Sequence, residues 1–127
     1  MKRGEYKLAD QVGEKGYFGK VALEIEMDDG SGAVSIDFDA ANARDWQTGA
    51  RFGIDYVLEH IPKKKLFPKG ARIHVDSIQG HAVDTTSAVI AFAAANALLR
   101  ALGLDAVPSK TKRPNFDREK GLFVFPQ

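Results

Sequence analysis

There is no cysteine among the 127 residues, which excludes a disulfide scaffold and thiolate metal sites and points to a reducing cytoplasm. Long apolar runs are missing as well. The uncharged stretch from Thr85 to Leu99 is shorter than the roughly 18 to 20 residues that span a bilayer, and the opening MKRGEYKLAD holds no apolar segment of a signal peptide. A soluble cytoplasmic protein with no membrane partner is expected. A nucleotide loop is absent too: GxxxxGK followed by Ser or Thr occurs nowhere, so neither a GTPase nor a phosphotransferase has its phosphate cradle. Repeats and low-complexity tracts are lacking. What is present, 44% hydrophobic and 28% charged residues, suits one globular domain with a real core.

The net charge of +1 conceals a polarity along the chain. Between Val21 and Asn42 the only charges are Glu24, Glu26, Asp28, Asp29, Asp37 and Asp39, whereas His60 to Arg72 holds Lys63, Lys64, Lys65, Lys69 and Arg72 and no acid. Segregation of this kind marks either a nucleic-acid face or a solvated lysine turn.

Periodicity organises the rest. EYKLADQV alternates Tyr6, Leu8 and Val12 with Lys7 and Gln11; KVALEIEM alternates Val21, Leu23, Ile25 and Met27 with Ala22, Glu24 and Glu26. AVSIDF and ARIHVDS repeat the device through Val34, Ile36 and Phe38, and through Ala71, Ile73 and Val75. Four strands with one covered face are therefore predicted, their other face showing Glu24, Glu26, Asp37, Arg72, His74 and Asp76. From Asp45 to Ile61 the apolar residues Ala50, Ile54, Val57, Leu58 and Ile61 form one helical stripe, ended by Pro62. A second helix runs from about Thr86 to Leu102, with Asp84, Thr85 or Thr86 available to cap it and Gly103 to stop it. DDGSGA reads as a hairpin turn joining the second and third strands.

Counting directions along three strands, helix, strand, helix puts two loops at one end, Gly13 to Gly19 and Ile78 to Asp84. The lysines of Pro62 to Gly70 fall at the other. One core is expected from Val21, Leu23, Ile25, Ile36, Phe38, Ile54, Val57, Leu58, Ile73, Val75, Val89, Phe92 and Leu99.

From about Lys7 to Leu102 the chain resembles domain IV of translation elongation factor G. The likeness rests on GEKGYFGKVALEIE, GIDYVLEHI and HAVDTTSAVIAFAAANAL, with Gly16, Gly19, Gly53, His81, Asp84, Thr85 and Thr86 at matching points. It implies an α+β two-layer sandwich of the ribosomal-protein domain 2 kind, β-β-β-α-β-α, with a four-stranded mixed sheet and both helices on one face. It also implies a left-handed crossover, against the right-handed norm. In that family the two tip loops approach the codon–anticodon duplex, and His81 matches a tip histidine. This chain departs from the pattern at Tyr17 and Phe18 and at Gly80 and Ala82. A finger without a GTPase is non-enzymatic.

The resemblance and the residues together nominate an RNA-binding set. Lys15, Gly16, Tyr17, Phe18, Lys20 and His81 lie at the tip, where glycine amides suit phosphate and rings suit bases. Lys110, Lys112 and Arg113 lie in the tail. Tyr17 and Phe18 folding back onto the core is the other reading. His74 and Asp76, with Arg72, read as an acid/base or metal set or, more simply, as partners for acids across the strands. His81 has no Ser or Cys nucleophile in an evident triad. No catalytic residue, metal ligand or cofactor is expected.

Residues 1–104 form the domain IV-like unit and 105–127 an extension, basic and then apolar. Leu122 to Phe125 must bury itself on its own sheet or on another copy, as a homo-oligomer. The expected partner is the ribosome or another structured RNA. The alternative is a protein-interaction or scaffold module of the same fold.

Overall fold

In the computed structural model, residues 2–27, 30, 32–39, 44–61, 67–81, 83–104 and 114–126 are described. Strands β1 (Lys2–Val12), β2 (Lys15–Met27) and β3 (Val34–Phe38) precede helix α1 (Arg44–His60). Strand β4 (Ala71–Gln79), helix α2 (Ser87–Ala101) and two short strands, β5 (Asn115–Asp117) and β6 (Leu122–Val124), follow. The first four strands form a mixed sheet in the order β1-β2-β4-β3, and both helices share the core with its apolar face. This is the α+β two-layer sandwich with four strands and two helices.

The alternation in β2 does what its period requires. Val21, Leu23 and Ile25 are fully buried, while Glu24 and Glu26 face out. The hairpin expected at DDGSGA is corrected, because β4 lies between β2 and β3 and β3 runs parallel to it, from Val34 opposite Ala71 to Phe38 opposite Val75. The reason is burial. Ile73 and Val75 are fully enclosed and need a strand on each side, whereas Val34, Ile36 and Phe38 are half-buried and suit the edge. A bulge places Ala22 opposite Ser77 and Leu23 opposite Val75, leaving Asp76 as the extra residue. Unbroken alternation would turn Ile78 outward; the bulge returns it to the buried side with Ile73 and Val75.

Helix α1 presents Ala50, Ile54, Val57 and Leu58 to the core. Helix α2 starts at Thr86, whose hydroxyl accepts from the Val89 amide at 3.3 Å. It ends with Leu104 N–H donating to Leu99 O at 2.8 Å and Gly103 N–H to Arg100 O at 3.0 Å. This pairing needs the left-handed Gly103, φ 71°.

The single core expected from the sequence divides in two. Most of those residues lie between sheet and helices, but Val89 and Phe92 join Leu8 and Tyr17 in a second cluster under the β1–β2 hairpin. The tail supplies its rings. Strands β5 and β6 pair antiparallel and stack Phe116 on Phe123, centroids 4.5 Å apart. Both rings pack against Tyr17, at 5.0 and 5.9 Å. Beyond them Phe125 sits 5.3 Å from Phe52 and 5.2 Å from Tyr56. Of the apolar end, Phe123 and Phe125 therefore bury themselves on their own chain, and Leu122 and Val124 point outward.

Candidate nucleic-acid interface

The glycine-rich loop expected at Gly13 to Gly19 is mostly strand. Pairing of β1 with β2 continues to Val12 opposite Lys15, so the turn is only Gly13 and Glu14, with Gly13 at φ 63°. Because β2 meets β4 only from Lys20 opposite Gln79, the hairpin of residues 8–19 projects past the sheet as a two-stranded finger. Glycine at 16 and 19 serves close approach rather than looping. A Cβ at Gly16 would stand 2.8 Å from Asp84 Oδ2, and one at Gly19 would stand 2.6 Å from Val89 Cγ1.

The loop after β4 grips this finger at one residue. Phe18 N–H donates to Asp84 O at 3.1 Å, and Phe18 O accepts from the Thr85 hydroxyl at 2.7 Å. That same hydroxyl oxygen accepts from His81 N–H at 2.6 Å, and Thr85 N–H returns to His81 O at 2.9 Å. The adjacent hydroxyls thus have separate tasks: Thr86 caps α2, and Thr85 ties the two tip segments together. Both backbone groups of Phe18 are occupied, so the face to which its side chain turns is fixed.

Strand alternation then separates the two tip aromatics. Tyr17 turns inward and is 8% exposed, its hydroxyl donating to Gly121 O at 3.4 Å. It cannot stack on a base, and within the nominated set it acts as an anchor. Phe18 turns outward, its ring 4.5 Å from the exposed His81 ring at a 45° tilt. Lys7 Nζ stands 5.9 Å from the Phe18 centroid and Lys15 Nζ 5.6 Å from that of Tyr17. Lys20 pairs with Glu5 at 2.9 Å, and this ammonium holds the Glu5 carboxyl below its usual range. The structure thus brings Phe18, His81 and Lys7 together at the finger's outer face, with Gly16 beside Asp84 and Lys15 on the opposite face. Lys110, Lys112 and Arg113 lie outside the described residues.

Farther down the same face the charges engage one another. Arg3 reaches Glu24 at 2.9 Å and Asp76 at 2.6 Å, and Arg72 donates to Asp37 at 2.6 Å. His74 has Nδ1 on Asp37 and Nε2 3.5 Å from Asp76. Hydrogen bonding from Arg72, then from His74, draws the Asp37 carboxyl below its usual range against the opposing effect of burial. With both ring nitrogens turned toward carboxylates, His74 is engaged by Asp37 and Asp76 as the across-strand reading expects.

The chain is similar in structure to a protein of Thermus thermophilus known from its crystal structure. The TM-score is 0.63 at 22% identity, over 80% of this chain and 16% of that one. This is a likeness of fold, and the chain spans about a sixth of that protein's length. No protein-family model and no curated protein matches the chain.

Sequence reasoning did not single out Lys7, although it stands two residues before Ala9, the residue opposite Phe18. The signal lay in the outward phase of β1. Once Tyr6 and Leu8 are assigned inward, Lys7 must share the face that carries Phe18.

Proposed function

We propose that this is a non-enzymatic domain IV-like module, resembling that domain of elongation factor G, that binds structured RNA, ribosomal RNA first among them, through the tip of its projecting hairpin. The observation that carries the proposal is the half-buried Phe18 ring against the exposed His81 ring, with Lys7 beside them. An aromatic platform stacks an unpaired base at about 1 to 3 kcal/mol per base, the ammonium takes an adjacent phosphate, and a rigid finger reads RNA shape. The backbone ties from Asp84 and Thr85 to Phe18 support the reading, since a platform fixed before contact loses little entropy on binding. Specificity comes from stacking, and the few tip cations give a shallow salt dependence.

Co-sedimentation of the purified protein with ribosomes at low and raised salt tests this. Wild type pellets with ribosomes at low salt, and Phe18→Ala combined with His81→Ala does not. Equal pelleting of both proteins would remove the tip from the account. No pelleting of either would leave a protein-interaction module of the same fold.

A further inference from the structure

The layer opposite the sheet's open face carries a second feature. Helices α1 and α2 cross where glycine meets backbone. A Cβ on Gly49 would stand 2.8 Å from Ser87 O, and one on Gly53 would fall inside contact distance of Ala91 O. Only small residues fit such a crossing, so the surface above it is hollow. The tail hairpin walls the hollow on one side, giving an apolar groove of about 370 Å³ with Gly49, Ala88 and Ala91 as its floor and Phe52, Phe123 and Phe125 as its walls.

Phe52 and Phe125, edge to face at 5.3 Å, also border a second hollow of about 240 Å³ that contains Asp55, Tyr56, Glu59 and His60. Asp55 and Glu59 stand four residues apart, on one side of α1. Among the described residues neither carboxylate has a cationic partner within ion-pair distance, unlike those of the sheet face. Aromatic faces beside two unneutralised carboxylates suit an organic cation, and the groove across the Phe52 ridge suits an aliphatic side chain.

We propose that the two hollows form one docking site for a partner-protein segment that presents an aliphatic side chain next to an arginine or lysine. The aliphatic chain fills the groove and the cation sits between Asp55 and Glu59. Charge complementarity selects this occupant. The carboxylates repel a phosphate backbone or an acidic segment, and a purely apolar segment would leave them unpaired at the rim of a buried contact. The site lies on the helical layer, whereas Phe18 turns to the sheet's open face, and it stands independently of RNA binding.

The test is an amide-resolved NMR titration of the full chain with three blocked dipeptide amides, acetyl-Leu-Arg, acetyl-Leu-Glu and acetyl-Ser-Arg. The expected result is shifts at Gly49, Phe52, Asp55, Glu59 and Ala88 with the Leu-Arg probe. The Leu-Glu and Ser-Arg probes bind at least about fivefold more weakly, the scale of one partly exposed charge pair or one aliphatic contact. Asp55→Asn with Glu59→Gln abolishes the preference for arginine over glutamate without altering the dispersion of the remaining amides. Ala88→Leu, at an exposed helix position, fills the groove and abolishes binding of the Leu-Arg probe. Three results would overturn the proposal: no shift at these amides, equal affinity for the arginine and glutamate probes, or concentration-dependent shifts at the same amides in the protein alone, which would assign the groove to a second copy.

Discussion

Between the sheet and the helices the interior is mainly alanine, valine, leucine and isoleucine, with Phe67 among them; under the β1–β2 hairpin rings predominate beside Leu8 and Val89. In the first region Ala93, Ala94, Ala95 and Ala97 keep α2 thin, and its backbone lies so near β1 that a Cβ at Gly4 would stand 2.7 Å from Ala101 N. Small residues there produce closeness. In the second, Phe92 meets Tyr6 at 5.7 Å and Phe123 at 5.2 Å, and rings back a hairpin that projects past the sheet. The difference teaches what each region is for. The aliphatic core defines the sandwich, and the aromatic annex makes a rigid finger of a two-stranded ribbon, which alone is marginal in water.

The strongest way to break this comparison is at Phe92, 7% exposed. Phe92→Ala should cost about 3 to 5 kcal/mol in denaturant unfolding, and amide exchange in residues 8–19 should quicken more than that of the central strands. Leu98, fully buried in the aliphatic core, provides the contrast. Leu98→Ala should cost about 2 to 5 kcal/mol and lower protection of the whole sandwich together. If both variants gave the same exchange pattern, the two clusters would be one cooperative unit.

Phe123 sharpens the point. It is half-buried and comes from the tail, so Phe123→Ala should cost about 1 to 2 kcal/mol while exchange quickens in residues 8–19 alone. Uniform loss of protection would contradict the annex's separate role.

The smallest effect should come from the ion-pair lattice on the open face. The Asp37 carboxyl is depressed in the folded state, so its contribution is present above the unfolded value of about 4 and is lost as pH falls through the lower folded value. Asp37→Asn should therefore lower neutral stability slightly, leave stability at the acid end unchanged, and so flatten the acid limb of the stability curve below about pH 4. A variant with the wild-type acid limb would show that Asp37 takes no part in it.

Much of the sandwich was legible because burial and period coincide. Val21, Leu23 and Ile25 could be placed on one face by alternation, and Ile54, Val57 and Leu58 by helical spacing, without any neighbour being known. Alternation assigns a face but not an adjacent strand, and so DDGSGA read as a hairpin although β3 pairs with β4. Glycine misled in a related way. Gly16 and Gly19 signalled a loop, whereas each is a strand residue pressed against Asp84 or Val89. The bulge at Asp76 could not be foreseen, since one extra residue in β4 has meaning only against the register of β2.

At the candidate site, His81 and the shared end of the two tip segments could be read from direction counting. The split between Tyr17 and Phe18 could not. It depends on whether the alternation of Val21, Leu23 and Ile25 continues back to Tyr17 or gives way to the loop that the glycines suggested. The three-residue strands β5 and β6 are too short for a period to register.

The central claim, that the outer face of the finger is an RNA platform, is tested most directly by mapping amide shifts on the labelled protein with a ribosomal RNA hairpin bearing an unpaired loop. The account predicts shifts centred on Lys7, Phe18 and His81, lost in Phe18→Ala, while Tyr17 and the ion-paired face of Arg3, Glu24 and Arg72 stay still. Shifts centred on that ion-paired face, or binding unchanged in Phe18→Ala, would contradict it.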